Sequence, residues 1–342
     1  MKALFLRKIQ PIGPDSRPLE LLETPMPEPG PGEVLIRVSA CGICHTELDE
    51  IEGRLPPLFL PIIPGHQVVG QVVSCGENAT RFGAGDRVGI GWFRDSCGAC
   101  PFCTGGLENL CSRFQATGRD GHGGYAEYMK SPEKSVFPMP DSFSDLDAAP
   151  LLCAGAIGYR SLKLSGISEG GCLGLTGFGA SGHLVLRLVR KIQPGTRVFV
   201  FARRGQERRF AIESGAVWAG GTLDPSPEKL DAVVDTTPVW APPLAALKNL
   251  KAGGRLVINA IRKEETDKES LLGIDYPAQL WMEKEIKTVA NVAPSDIAEF
   301  LSIAAEMSIH PEVRAYALDQ ANLALVELKA GRIRGAKVLR MV

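Results

Sequence analysis

Between residues 172 and 261 short apolar runs alternate with amphipathic stretches, and the first run ends on a glycine motif. CLGLT (172–176) reads as a buried strand, followed by Gly177-Phe178-Gly179-Ala180-Ser181-Gly182 and a helical stretch, HLVLRLVRKI. RVFVF (197–201) predicts a second strand, RRFAIESG a helix and DAVVDT (231–236) a third strand. PPLAALKNLKAGG predicts a further helix and RLVINAI a fourth strand. A helix between two strands carries the chain back to the end where the first strand began, so such strands pair in parallel. An α/β fold with a doubly wound parallel sheet follows.

The glycine motif has mechanical meaning only where it follows a strand and opens a helix, and here it does both. Gly177 permits a tight turn, Gly179 lets a pyrophosphate approach the backbone, and Gly182 lets the helix pack closely on the strand. Free N–H groups at the helix start, near Ala180 and Ser181, attract phosphate. The plain alternative is an ordinary strand–helix loop. His183 fits packing or capping better than ligation. A dinucleotide with a free ribose 2′-OH calls for Asp or Glu about 20 residues on. That position holds Ala202, followed by Arg203 and Arg204. Guanidinium groups pair with a 2′-phosphate, so NADP(H) is expected in preference to NAD(H). A solvated basic turn is the alternative, since Arg208 and Arg209 continue the charge.

Residues 1 to about 150 differ in texture. They are rich in Gly and Pro, and VLIRVSA (34–40), QVVGQVVSCG (67–76) and DRVGIGW (86–92) predict strands between functional loops. This half also holds DSCGACPFCTGGLENLC, with Cys97, Cys100, Cys103 and Cys111. Four thiolates so close can surround Zn²⁺, and a structural zinc replaces a hydrophobic core for such a polar loop. Disulfides suit an oxidising compartment that nothing here indicates. An iron–sulfur site favours a shorter last spacing and a following Pro, where Ser112 stands.

At 342 residues two domains are expected. A net charge of −1 argues against a nucleic-acid or membrane partner. MKALFLRKIQPIGP lacks the pattern of a secretion signal, and nine cysteines without one point to the cytoplasm and metal ligation. Cys41, Cys75 and Cys172 are expected to be buried or half-buried structural residues.

The order of motifs resembles that of the zinc-dependent medium-chain alcohol dehydrogenases. It runs Cys41-Gly42-Ile43-Cys44-His45-Thr46, Gly65-His66, the four-Cys loop, Leu152-Cys153-Ala154-Gly155 and the glycine motif. The resemblance covers essentially the whole chain. It implies a GroES-like catalytic domain over 1–153 with the zinc lobe at about 94–113, a Rossmann cofactor domain over 154–290, and a return to the catalytic domain over 291–342. The terminal GAKVLRMV would be a closing strand, and the active site would lie between the domains.

Carried over residue by residue, the resemblance gives a catalytic zinc held by Cys44, His66 and Cys153, and so two zincs per chain. Thr46 resembles the hydroxyl that passes the proton between substrate and cofactor ribose. His45 resembles the residue beside the pyrophosphate, and Glu47 a carboxylate that orients His66. Trp92 falls where similar enzymes have an aromatic wall of the substrate pocket, and a core tryptophan is the alternative. Two positions depart from the pattern. Asp49 replaces the usual relay histidine, and Gly-His-Glu reads Gly65-His66-Gln67. The implied activity is hydride transfer between a small-molecule alcohol, or its aldehyde or ketone, and a nicotinamide cofactor, in a homodimer or homotetramer. The alternatives are a polyol or sugar dehydrogenase of the same superfamily, and a catalytically silent NADPH- or zinc-binding protein. Cys44, His66 and Cys153 disfavour a zinc-free quinone reductase.

Overall fold

The computed structural model describes residues 1–341. The chain forms two compact units. One contains Met1–Ala156 and the residues from Val292 onward, and the other is Ile157–Asn291.

The first unit is built on a seven-stranded sheet. Its path runs Val313–Ala317, Ala336–Arg340, Glu33–Ile43, Gln67–Cys75, Arg87–Ile90 and Val136–Pro138, with Tyr128–Pro132 paired on Glu33–Ile43. Buried apolar residues including Leu4, Ile36, Ile62, Ile90, Tyr125 and Leu325 form its core. The strand expected from GAKVLRMV is Ala336–Arg340, and it pairs antiparallel with Glu33–Ile43. Its Lys337 lies opposite Ile43, one residue before Cys44. The C-terminal strand therefore braces the backbone that presents Cys44.

The second unit is the parallel α/β sheet expected from the alternating pattern. In chain order its strands are Cys172–Thr176, Arg197–Phe201, Trp218–Gly220, Leu230–Asp235, Leu250–Ile258 and Glu285–Thr288, and every pairing is parallel. In space they run third, second, first, fourth, fifth, sixth. The order reverses between Cys172–Thr176 and Leu230–Asp235. Ligands of such sheets bind at the carboxyl ends of the strands at this switch point.

Three features differ from the expectation. Trp218–Gly220 and Glu285–Thr288 are strands that the sequence pattern did not reveal. Both are too short to show alternation, and Glu285–Thr288 is exposed throughout and has no apolar signature. The helix read over PPLAALKNLKAGG stops at Asn249, and Leu250 already belongs to a strand. Gly253 takes φ +68°, which no right-handed helix can continue. The third feature is a five-residue π-helical turn, Leu151–Gly155, between the α-helices Asp145–Pro150 and Ala156–Ser165. Pro150 lacks an N–H and its ring crowds the preceding turn, so the ladder widens there. Among the described residues no helix is long and apolar enough to cross a membrane.

Candidate active site and metal centres

Cys44 ends the strand Glu33–Ile43 and caps the helix His45–Ile51. Its Sγ accepts the Thr46 N–H at 3.4 Å, so the free donors of the helix start favour a thiolate. His66 precedes the strand Gln67–Cys75, and Cys153 lies in the π-helical turn. The fold brings these distant residues together. Cys44 Sγ, a His66 ring nitrogen and Cys153 Sγ all lie within 4.8 Å of one another. His66 Nε2 is 3.6 Å from Cys44 Sγ and 3.3 Å from Cys153 Sγ. A tetrahedral zinc with ordinary bond lengths has S···N edges of about 3.6 Å, so the set has the size of a zinc site.

Glu47 completes the arrangement from behind. One carboxylate oxygen accepts the Cys44 N–H at 2.8 Å, and the other lies 2.6 Å from His66 Nδ1. Both side chains are fully buried. A carboxylate at Nδ1 keeps the proton on that nitrogen and leaves the Nε2 lone pair facing the sulfurs. Burial alone would lower the His66 pKa, but Glu47 and Cys44 outweigh it and push it well above the usual range. The Cys44 thiol is also pushed well up, by its hydrogen bond with Cys153, by burial and by Glu47. A nearby dication reverses that direction for a thiol.

The four-Cys loop is a second cluster of matching size. Its four sulfurs lie within 4.8 Å of one another. Cys97 and Cys103 are 3.7 Å apart and Cys100 and Cys103 3.6 Å, against about 3.8 Å for the S···S edge of a zinc tetrahedron. Backbone N–H groups of Ala99 and Cys100 donate to Cys97 Sγ, and that of Arg113 to Cys111 Sγ. The N–H groups of Ala99 and Cys100, with the Arg113 side chain, bring the Cys97 pKa down to about 5. All nine cysteines are free. Cys41 and Cys172 are buried and Cys75 is half-buried, as expected.

The glycine motif forms a tight turn between the strand Cys172–Thr176 and the helix Ala180–Ile192. Gly177 has φ +83°, and a Cβ there would lie 2.6 Å from Thr236 Oγ1. A Cβ on Gly182 would lie 2.6 Å from the Gly177 carbonyl oxygen, whereas one on Gly179 would meet nothing within 4 Å. The turn and the close packing thus use the first and third glycines, and the middle one leaves open space for a ligand. Phe178 is buried and packs edge-on against Phe210. Ala180 and Ser181 open the helix Ala180–Ile192, and His183 Nδ1 lies 3.0 Å from the Gly179 carbonyl oxygen. Ala202 is buried at the end of its strand, Arg203 is exposed and Arg204 half-buried. Arg208 is engaged with the carbonyls of Ala202 and Arg203.

The surroundings of five further positions complete the picture. Thr46 is buried beside Cys44, and His45 is exposed. Asp49 is buried and forms an ion pair with Arg54 at 2.6 Å, and Arg54 also binds Glu52. Trp92 is buried with its ring 5.2 Å from Phe114 and the Arg119 guanidinium 5.7 Å away. Gln67 is buried, and its Nε2 has no hydrogen-bond partner among the described residues.

The sequence reading missed a polar network at the switch point. Asp235 is fully buried at the end of its strand and accepts hydrogen bonds from Thr176 Oγ1 at 2.5 Å and Thr237 Oγ1 at 2.7 Å. Lys263 Nζ donates to Asp235 at 2.5 Å and to the carbonyls of Thr237 and Val239. The one available signal was an aspartate closing the apolar run DAVVDT.

Comparison with known proteins agrees with this geometry. Residues 30–141 match the alcohol dehydrogenase GroES-like domain. The chain is 40% identical over 344 residues to the "Probable alcohol dehydrogenase AdhA" of Mycobacterium tuberculosis, covering 99% of this chain and 97% of that one. It is 32% identical to an alcohol dehydrogenase of Geobacillus stearothermophilus, with 95% and 97% covered. A solved structure described as CAD from Helicobacter pylori complexed with NADP(H) shares the fold, with a TM-score of 0.86 at 23% identity over 99% of this chain and 97% of that one.

Proposed function

This chain belongs to the zinc-type medium-chain alcohol dehydrogenase family, and we propose that it interconverts a small-molecule alcohol and its aldehyde or ketone, with NADP(H) as the preferred hydride carrier. The observation that carries the reading is the convergence of two sulfurs and one imidazole nitrogen, with Glu47 behind the imidazole. When bound, zinc supplies a Lewis acid for the substrate oxygen and the nicotinamide gives or takes the hydride.

The protein's own residues set the conditions. Two thiolates and a neutral imidazole offset the charge of a dication and leave a fourth position open. Glu47 fixes the imidazole tautomer. The Thr46 hydroxyl, two residues after Cys44, would hold the proton of the substrate oxygen. Asp49, at the position of the usual relay histidine, is tied up in an ion pair with Arg54. Trp92, which packs on Phe114, is the candidate aromatic wall of the substrate pocket. Gly177, Gly179 and Gly182 shape the pyrophosphate cradle, and Arg203 and Arg204 favour a 2′-phosphate. The four-Cys loop holds a second, structural zinc.

NADPH oxidation with a panel of aldehydes tests the reading. Turnover is expected, with loss of at least about a thousandfold in Cys44→Ser while NADPH still binds, since removing the electrophile removes several kcal/mol of stabilisation. Binding without turnover in the wild type would support a silent NADPH-binding protein instead. Metal analysis is expected to find two zincs per chain.

A further inference from the structure

The helix that begins at Cys44 carries a second acid that no step above uses. Glu50 lies three residues after Glu47 on the same helical face. Its side chain is 1% exposed, and neither carboxylate oxygen has a hydrogen-bond partner among the described residues. The neighbouring cations are engaged with other acids. Arg54 binds Asp49 and Glu52, and Arg119 makes a two-point contact with Asp120. The groups that act on Glu50 are Glu47, His66, Arg119 and Asp49, and the buried Tyr125 senses it in turn. An ionised carboxylate here has neither donor nor dedicated cation and faces a second carboxylate. That is the least favourable state of the pair, because burial penalises charge and like charges repel. The cost falls when one of the two acids carries a proton. Glu47 accepts the Cys44 N–H and faces His66 Nδ1, so its charge is used. Glu50 has no such use for one, and burial, then Glu47, drive its pKa well above the carboxylate range.

We propose that Glu50 is a proton-holding carboxyl, a positioning residue behind the Glu47–His66 contact whose loss of that proton strengthens the hold of the site on a bound cation. This rests on the reading of Cys44, His66 and Cys153 as a zinc site. Linkage makes the effect reciprocal. If the cation lowers the Glu50 pKa by one unit, the ionised form of Glu50 holds the cation about tenfold more tightly.

The test uses zinc-loaded protein and infrared spectroscopy alongside metal analysis. Wild type at neutral pH is expected to show the C=O stretch of an un-ionised buried carboxyl, absent in Glu50→Gln and fading reversibly in wild type at alkaline pH. Competition with a chelator is expected to give equal zinc affinity for both proteins near neutrality. At alkaline pH wild type holds the metal more tightly, by about tenfold for each unit of the Glu50 shift. Two zincs per chain with no such band, or superimposable pH profiles, would overturn the proposal alone. A single zinc, in the four-Cys loop, would overturn the reading of the site as well. Should Glu50→Gln not fold, the wild-type band between neutral and alkaline pH decides by itself.

Discussion

Gly65 illustrates how single residues hold the site. Its φ is +98°, and a Cβ there would lie 2.3 Å from the Tyr125 ring. Gly65→Ala therefore combines backbone strain with a clash in the core. It is expected to cost about 2–4 kcal/mol, read by urea denaturation, and to lower zinc content because His66 is the next residue. Arg203 is exposed, and its proposed role is contact with a 2′-phosphate. Arg203→Ala is expected to weaken NADPH binding by about tenfold to a hundredfold, the range of one charge-assisted contact, while NADH changes little. Equal loss for both would remove the basis for a 2′-phosphate preference. Residue types of this kind were legible in the sequence, because glycines, cysteines and arginines at fixed spacings each do something few other side chains can.

At the scale of elements the π-helical turn decides where Cys153 points. Each residue of a regular helix advances about 100°, so deleting Leu152 would restore regular winding and swing the following side chains away from their present partners. The expected result is a folded protein with one zinc and no turnover, read by metal analysis and circular dichroism. A deletion that kept both zincs would show that the turn does not set the geometry. The four-Cys loop, proposed to bind zinc, is expected to behave differently, since a lobe held by metal depends on its ligands. Cys100→Ser is expected to open this loop to limited proteolysis while NADPH binding persists. The loop could be read from the chain because its ligands are local. The π-helical turn could not, because Pro150 signals only a break and the form of the break depends on packing. Gly155, in that turn, leaves no room for a Cβ, which would lie 2.2 Å from the Phe300 ring.

Over the whole molecule, Glu52 joins three distant segments of the chain. It accepts the Ile12 N–H and binds Arg54 and Lys329. Burial works to raise its pKa, but Lys329, the Ile12 N–H and Arg54 outweigh it and hold it below the ordinary value. A carboxylate with a depressed pKa in the folded state contributes stability above its unfolded pKa, about 4.3, and loses it as pH falls through the folded value. Melting temperature is expected to drop over that acid range, and to drop less in Glu52→Gln. Identical acid profiles would show that other carboxylates carry the effect. The sequence by itself determined the local pattern: a glycine-rich turn after a strand, four thiols in one loop, and two arginines after the second strand of the parallel sheet. Those signals survive in one dimension because each needs only near neighbours. The resemblance had already grouped Cys44, His66, Cys153 and Glu47, but tertiary structure alone decided that Lys263 reaches Asp235 and that Glu50 is enclosed without a hydrogen-bond partner among the described residues. Each of these depends on burial and on distances between remote segments, which no spacing along the chain encodes.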